Sequence, residues 1–163
     1  MDHLYAPWRN SYVTDSKKKD ECVFCSIANS PESDSLSKVL YRGKHCFLVM
    51  NRFPYTPGHF LILPYEHIAD LEYLDILVWQ EMMSLAHKGV GYLKQALNAH
   101  GINMGINLGA AAGAGIAEHL HYHLLPRWER DTNFIATVGE NRVYSSDFNE
   151  EFIRLKGYFD KDE

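Results

Sequence analysis

Glu118-His119-Leu120-His121-Tyr122-His123-Leu124-Leu125-Pro126 alternates apolar and imidazole side chains. On an extended chain this period of two sends Leu120, Tyr122 and Leu124 to one face and His119, His121 and His123 to the other. Successive rings then stand about 6.6 Å apart. Such a row is poor core material, because each neutral ring brings a donor and an acceptor that burial leaves in need of partners. It points to chemistry, either metal ligation or attack by an imidazole on an electrophile.

The residues upstream decide between those two. Gly113-Ala114-Gly115 carries nothing larger than a methyl, so consecutive backbone N–H groups can close round phosphate oxygens as a nest. A local anion device is what this chain needs. Its 16 Lys and Arg stand against 21 Asp and Glu, a net charge of -5, which leaves no broad basic field for nucleic acid or an anionic membrane. Beside such a nest, an in-line imidazole reads as a nucleophile on phosphorus, with its second nitrogen held by an acceptor that fixes the tautomer.

Working outward, Ile102, Met104, Ile106 and Leu108 alternate with Asn103, Gly105 and Asn107, the pattern of a strand with one apolar face. Lys38 to Arg42, His45 to Met50 and Phe60 to Leu63 are short runs rich in Val, Leu, Ile and Phe, separated by Gly43 and by Pro54 to Gly58. They read as consecutive antiparallel strands. From Asp70 to Ala99 apolar residues recur at three- and four-residue steps, predicting a long amphipathic helix with Asp70 as N-cap, Gly89 and Gly91 weakening its middle, and Gly101 ending it. Segments 14–21 and 29–37 read as loops around a short element that carries Cys22 and Cys25. The order predicts an α+β fold, a single antiparallel sheet with a long helix packed on it.

With 163 residues, 46% of them hydrophobic, the chain reads as one core-forming domain over 1–163, with a Cys-containing N-terminal segment (1–37) and a C-terminal tail (135–163). No apolar run approaches the roughly 20 residues that span a bilayer. An N-terminus without a basic-then-apolar order and an odd count of three cysteines fit a reducing, cytoplasmic setting. Cys22-Val23-Phe24-Cys25 has the spacing that lets two thiolates share a tetrahedral zinc, with two ordinary buried thiols as the lesser alternative.

His119-Leu120-His121-Tyr122-His123-Leu124-Leu125 resembles the hallmark of the histidine triad family of nucleotidyl hydrolases and transferases, His-φ-His-φ-His-φ-φ with φ apolar. The similarity runs from Trp8 to about Phe134. Asn51-Arg52-Phe53-Pro54-Tyr55-Thr56-Pro57-Gly58-His59 resembles the family's Asn-x-x-Pro-x-x-x-Gly-His segment. Tyr5-Ala6-Pro7-Trp8-Arg9, Pro126-Arg127-Trp128 and Asp131-Thr132-Asn133-Phe134 are most similar to the diadenosine polyphosphate hydrolase and phosphorylase branch.

The resemblance implies catalytic roles for His121 as nucleophile on the α-phosphorus, for His123 as a phosphate contact and for His59 as support. It implies substrate contacts at Asn51 for the ribose, at Asn107 for the phosphate chain and at the loop Gly113, Ala114 and Gly115. Zinc-containing members, and the related galactose-1-phosphate uridylyltransferases, complete a similar cysteine pair with two histidines. The matching set here is Cys22, Cys25, His67 and His119, a closed structural zinc. A homodimer is implied too, with the helix and adjacent strand meeting across a two-fold axis. Where relatives place Ser, Thr or Gln, the loop has Gly115 and Ile116, which offer no hydroxyl to orient phosphate. Hydrolysis of dinucleoside polyphosphates is therefore expected ahead of phosphorolysis, with nucleoside phosphoramidase activity and non-catalytic nucleotide sensing as alternatives.

Overall fold

A computed structural model describes residues 22–132, 136, 138–139 and 146–162. Segments 5–9, 14–21 and Asn133-Phe134, singled out in the sequence, lie outside them. Five strands, β1 (Val39–Arg42), β2 (Cys46–Met50), β3 (Phe60–Pro64), β4 (Gly101–Ile106) and β5 (Tyr122–Arg127), form one sheet in the order β1-β2-β3-β5-β4. Every pairing is antiparallel. Packed with it among the described residues are α1 (Val23–Ala28), α2 (Asp34–Ser37), α3 (Ile76–Leu97) and α4 (Phe148–Phe159).

Both faces of the sheet are covered, and alternation along each strand decides which residue goes where. Cys46, Leu48, Phe60, Ile62, Tyr122 and Leu124 join the larger cluster, under α3 and α4. Phe47, Val49, Leu61 and Leu63 turn the other way and pack with Phe24 of α1. His123 is paired with Leu61, so the odd-numbered histidines emerge on the α1 side, away from the long helix. The strand itself starts only at Tyr122. His119 to His121 lead into it outside the ladder, anchored by the Leu120 N–H on Ile68 O at 2.7 Å.

Two boundaries differ from the periodicity. Asp70 heads a 3-10 turn, Leu71–Tyr73, after which Leu74 is extended with ψ 133°. The helix begins after Asp75, whose carboxylate accepts the Leu77 N–H at 2.7 Å. At the far end Asn98 takes the left-handed conformation (φ 52°) that closes α3, and Gly101 opens β4 instead. The C-terminal tail contains an element the sequence reading did not place. Asp147 caps α4 through the N–H groups of Asn149 and Glu150, and Phe152, Leu155 and Phe159 enter the core.

The N-terminal helix is short, and one side chain fixes it. Arg42 donates to Ala28 O (3.0 Å) and Ile27 O (2.8 Å), carbonyls of the last turn of α1, while Asp34 takes the same guanidinium at 2.6 and 2.8 Å. This cation at the helix C-terminus holds the cysteine-bearing turn against β1.

Gly89 does not merely weaken α3. A Cβ there would meet Phe60 Cζ at 2.7 Å and Leu124 Cδ2 at 3.2 Å, two residues paired across β3 and β5. The helix lies this close to the sheet because position 89 has no side chain. Gly89→Ala, which would favour an isolated helix by about 1 kcal/mol, is expected to destabilise the protein by about 1–3 kcal/mol through overpacking. Urea denaturation of the two proteins checks it.

Candidate active site

Four histidines converge on the α1 side of the sheet, and all are buried: His59, His119, His121 and His123. Their hydrogen bonds assign the tautomers. Tyr55 N–H donates to His59 Nδ1 (3.2 Å), so that nitrogen holds a lone pair and the proton sits on Nε2. His59 Nε2–H donates in turn to His123 Nδ1 at 2.9 Å. His123 consequently carries its proton on Nε2, a buried donor with no partner in the protein. His121 is set the opposite way. Its Nδ1–H donates to the backbone oxygen of His119 at 2.8 Å, which leaves the lone pair on Nε2.

A nucleophilic nitrogen and an uncommitted N–H donor therefore stand on adjacent rings, whose centroids are 4.9 Å apart. An anionic electrophile satisfies both at once. Among the described residues the other buried side-chain polar atom without a partner is Thr56 Oγ1, three residues before His59. Burial, with the nearby His123 and His121 rings, pushes His59 down to about 3. Burial and His121 push His123 down to about 4. Both rings stay neutral at pH 7, as the hydrogen-bond chain requires.

The cysteine pair meets two of the expected histidines. His119 Nε2–H donates to Pro64 O (3.0 Å), so its Nδ1 lone pair faces Cys22 Sγ at 3.5 Å and Cys25 Sγ at 3.6 Å. His67 Nδ1 lies 3.2 Å from Cys25 Sγ. The four ligand atoms fall within 4.8 Å of one another. A tetrahedral zinc with bonds of about 2.0–2.3 Å needs its ligand atoms on the order of 3.3–3.8 Å apart. The set fits by chemistry, and its contacts of 3.2, 3.5 and 3.6 Å lie near that spacing, while the full span of up to 4.8 Å is wider than a bound ion would leave it. Burial, and then the neighbouring Cys22, push the Cys25 thiol up, a bias that a cation binding the thiolate reverses.

The remaining sequence candidates are placed as follows. Asn51 Oδ1 accepts Phe53 N–H (3.0 Å) and its amide nitrogen lies 3.2 Å from His59 Nδ1, so it braces the supporting histidine. Asn107 follows Ile106, which is paired with Tyr122, and continues the register towards His121. The loop departs from the expected nest. The N–H groups of Gly113 and Ala114 donate to Ala110 O (3.0 Å) and Gly109 O (3.3 Å), closing a 3-10 turn over Ala110–Ala112, so these two amides are already used.

Two aromatic neighbours were not singled out. The exposed Tyr55 ring lies stacked beside His123 (6.1 Å, 20°) and tilted beside His59 (5.0 Å). Phe24, between the two cysteines in sequence, packs against His119 and His121 at 5.5 and 5.4 Å. An aromatic inside each motif was the available signal.

A HIT domain profile matches residues 32–130. The chain belongs to the HIT family. It is 38% identical over 149 residues to the AP-4-A phosphorylase of Mycobacterium tuberculosis, a match that covers 88% of this chain and 76% of that protein. The Arabidopsis thaliana adenylylsulfatase HINT3 is 35% identical over 119 residues, covering 73% of this chain and 58% of the relative. A zinc-bound histidine triad family protein from Mycobacterium smegmatis superposes with a TM-score of 0.70 at 26% identity, over 86% of this chain and 94% of the other. As in that family, the fold is one antiparallel five-stranded sheet with helices. No helix among the described residues is long and apolar enough to cross a membrane.

Because His59 and His123 titrate below the ordinary histidine value of about 6.5, the unfolded chain binds more protons than this HIT domain below that pH. Their contribution to stability is complete above about pH 6.5 and is lost as pH falls through the folded values near 4 and 3. Denaturation midpoints are expected to be level from pH 7 to 8 and to decline from 6.5 towards 4, and His123→Asn should flatten that slope by about one proton.

Proposed function

We propose that this HIT protein cleaves dinucleoside polyphosphates such as diadenosine tetraphosphate at the α-phosphorus through a nucleotidyl-histidine intermediate on His121. The observation that carries this is the opposite setting of two neighbouring rings, with a lone pair on His121 Nε2 and an unpartnered N–H on His123 Nε2. His121 Nε2 attacks the α-phosphorus, a nitrogen–phosphorus bond forms, and the bridging P–O bond breaks to release ATP. His123 Nε2–H donates to a non-bridging oxygen as charge develops there. His59 keeps that proton in place, and the peptide oxygen of His119 stabilises the charge that His121 acquires.

A second nucleophile then breaks the nitrogen–phosphorus bond. Water gives AMP and inorganic phosphate gives ADP. Sequence features alone placed water ahead, since the loop offers no hydroxyl to orient phosphate. The likeness to an AP-4-A phosphorylase favours phosphate, and we adopt phosphorolysis on that ground. Asn51 and Asn107 are the proposed ribose and phosphate-chain contacts, and Gly113, Ala114 and Gly115 border the phosphates. For Gly113 and Ala114 to donate, the Ala110–Ala112 turn must open, so the loop is proposed to rearrange on binding. A homodimer, as elsewhere in the family, is the proposed assembly.

Zinc is the proposed metal of the cluster formed by Cys22, Cys25, His67 and His119. With four protein ligands it has no position left for water, so its contribution is structural. His119 belongs to both sites, its ring to the metal and its peptide oxygen to His121.

His121→Asn should abolish turnover while leaving nucleotide affinity within about tenfold, because the ring supplies the nucleophile and only one of several contacts. Retention of more than a few per cent of activity would exclude His121. In the wild type, millimolar phosphate should make ADP the partner product of ATP, at a rate that saturates with phosphate. AMP as the main product at every phosphate concentration would restore hydrolysis.

For the metal, elemental analysis should find one zinc per chain, and Cys22→Ser should lower metal content and thermal stability together. Metal-free protein with both thiols freely titratable in the folded state would exclude the site.

A further inference from the structure

Glu151 is a carboxylate buried to 3% exposure on α4, beyond the 32–130 segment that the HIT profile matches. Its Oε2 accepts the backbone N–H of Gly58 at 2.8 Å, across 93 residues of sequence, and its Oε1 accepts the hydroxyl of Ser146. Burial of a carboxylate is costly unless its oxygens are matched by donors, so the position is not accounted for by packing alone. What the carboxylate grips is the turn that delivers His59.

Thr56-Pro57-Gly58-His59 closes with His59 N–H on Thr56 O (3.2 Å), and Gly58 has φ +75°. With proline second and a positive-φ glycine third, this is the pattern of a type II turn. The closing hydrogen bond leaves the third residue's N–H without a partner inside the turn. Here that N–H is buried, and Glu151 supplies the acceptor. Leu97 and Pro126 confine the same glycine from the other sides, since a Cβ on it would meet Leu97 Cδ1 at 2.3 Å and Pro126 Cγ at 3.4 Å. The next residue is His59, whose Nε2–H sets the proton of His123.

We propose that Glu151 is a positioning residue for the active site, and that the Glu151–Gly58 bond makes the C-terminal helix part of the apparatus that aims His123 Nε2–H. The inference rests on the function proposed above for its activity readout. Without the carboxylate the Gly58 N–H is buried and unmatched, the turn relaxes towards solvent, and His59 loses its fixed approach to His123. The effect falls on the transition-state contact rather than on nucleotide binding.

The test compares Glu151→Ala, Glu151→Gln and Phe159→Leu in the full chain. Phe159→Leu loosens the same helix without touching Gly58. Glu151→Ala should lower kcat about tenfold or more with KM within about threefold, whereas Glu151→Gln, which keeps an acceptor oxygen, should stay within about threefold of wild type in both. Phe159→Leu should lower Tm yet keep kcat well below the melting range. Equal losses of Tm in Glu151→Ala and Phe159→Leu with kcat unchanged in both would overturn the proposal, as would a change in KM alone.

Should Glu151→Ala not fold, Ser146→Ala, which removes the hydroxyl donor to Oε1, takes its place with a smaller loss of kcat expected, and an unchanged kcat overturns. Ring nitrogen NMR separates this inference from the function beneath it. His123 Nδ1 should appear unprotonated and sharp in wild type and Glu151→Gln, and averaged between tautomers in Glu151→Ala. That holds even if diadenosine tetraphosphate is not turned over, and identical ring spectra in all three proteins would overturn the proposal.

Discussion

The bond from His121 Nδ1–H to the peptide oxygen of its own neighbour two residues back, 2.8 Å long, is the constraint on which the site depends. Residues 119 to 121 lead into β5 outside its ladder, and they are held there by Leu120 on Ile68 and by His119 on Pro64. One residue, His119, thus presents three groups to three tasks. Its ring N–H ties it to β3, its other ring nitrogen faces two thiols, and its carbonyl fixes the tautomer of the next histidine. A peptide carbonyl is a better tautomer lock than a carboxylate for the proposed reaction, since it adds no negative charge beside an anionic substrate.

The second ring is set by an independent route through His59, and the two routes leave opposite edges free. This is how a row of buried histidines avoids the penalty that burial sets on polar groups. Two of the four rings, His59 and His119, are matched on both sides or face the thiols, and the vacant valences are confined to His121 Nε2 and His123 Nε2. Keeping His59 and His123 neutral is part of the same arrangement, because a protonated His123 Nδ1 would break the bond that orients it.

The sheet, the long helix and the triad were legible because each has a strict period. The glycine–histidine segment at 58 and 59 and the cysteine pair were legible as motifs. What sequence could not supply was the partner. The imidazole row looked unsuited to burial, and only the pairing of Leu61 with His123 across strands brings the supporting His59 to it from 64 residues away. Asp70 is the cap expected from the sequence, and the extended Leu74 after its 3-10 turn moves the start of the helix to Asp75. Gly113 and Ala114 were free to form a nest until the chain closed their amides into a local turn, which competes for the same N–H groups. Arg42 and Glu151 lie outside every motif, yet Arg42 binds the last carbonyls of α1 and Glu151 matches the buried Gly58 N–H.

The central claim is a covalent bond between His121 and phosphorus, and the stereochemical course at that phosphorus tests it without a mutation. With diadenosine tetraphosphate made chiral by sulfur at the α-phosphorus and inorganic phosphate as acceptor, the configuration of the thio-ADP product can be read directly. Two successive in-line displacements, on to His121 and off it, predict net retention. Net inversion would mean a single direct displacement and would contradict the account.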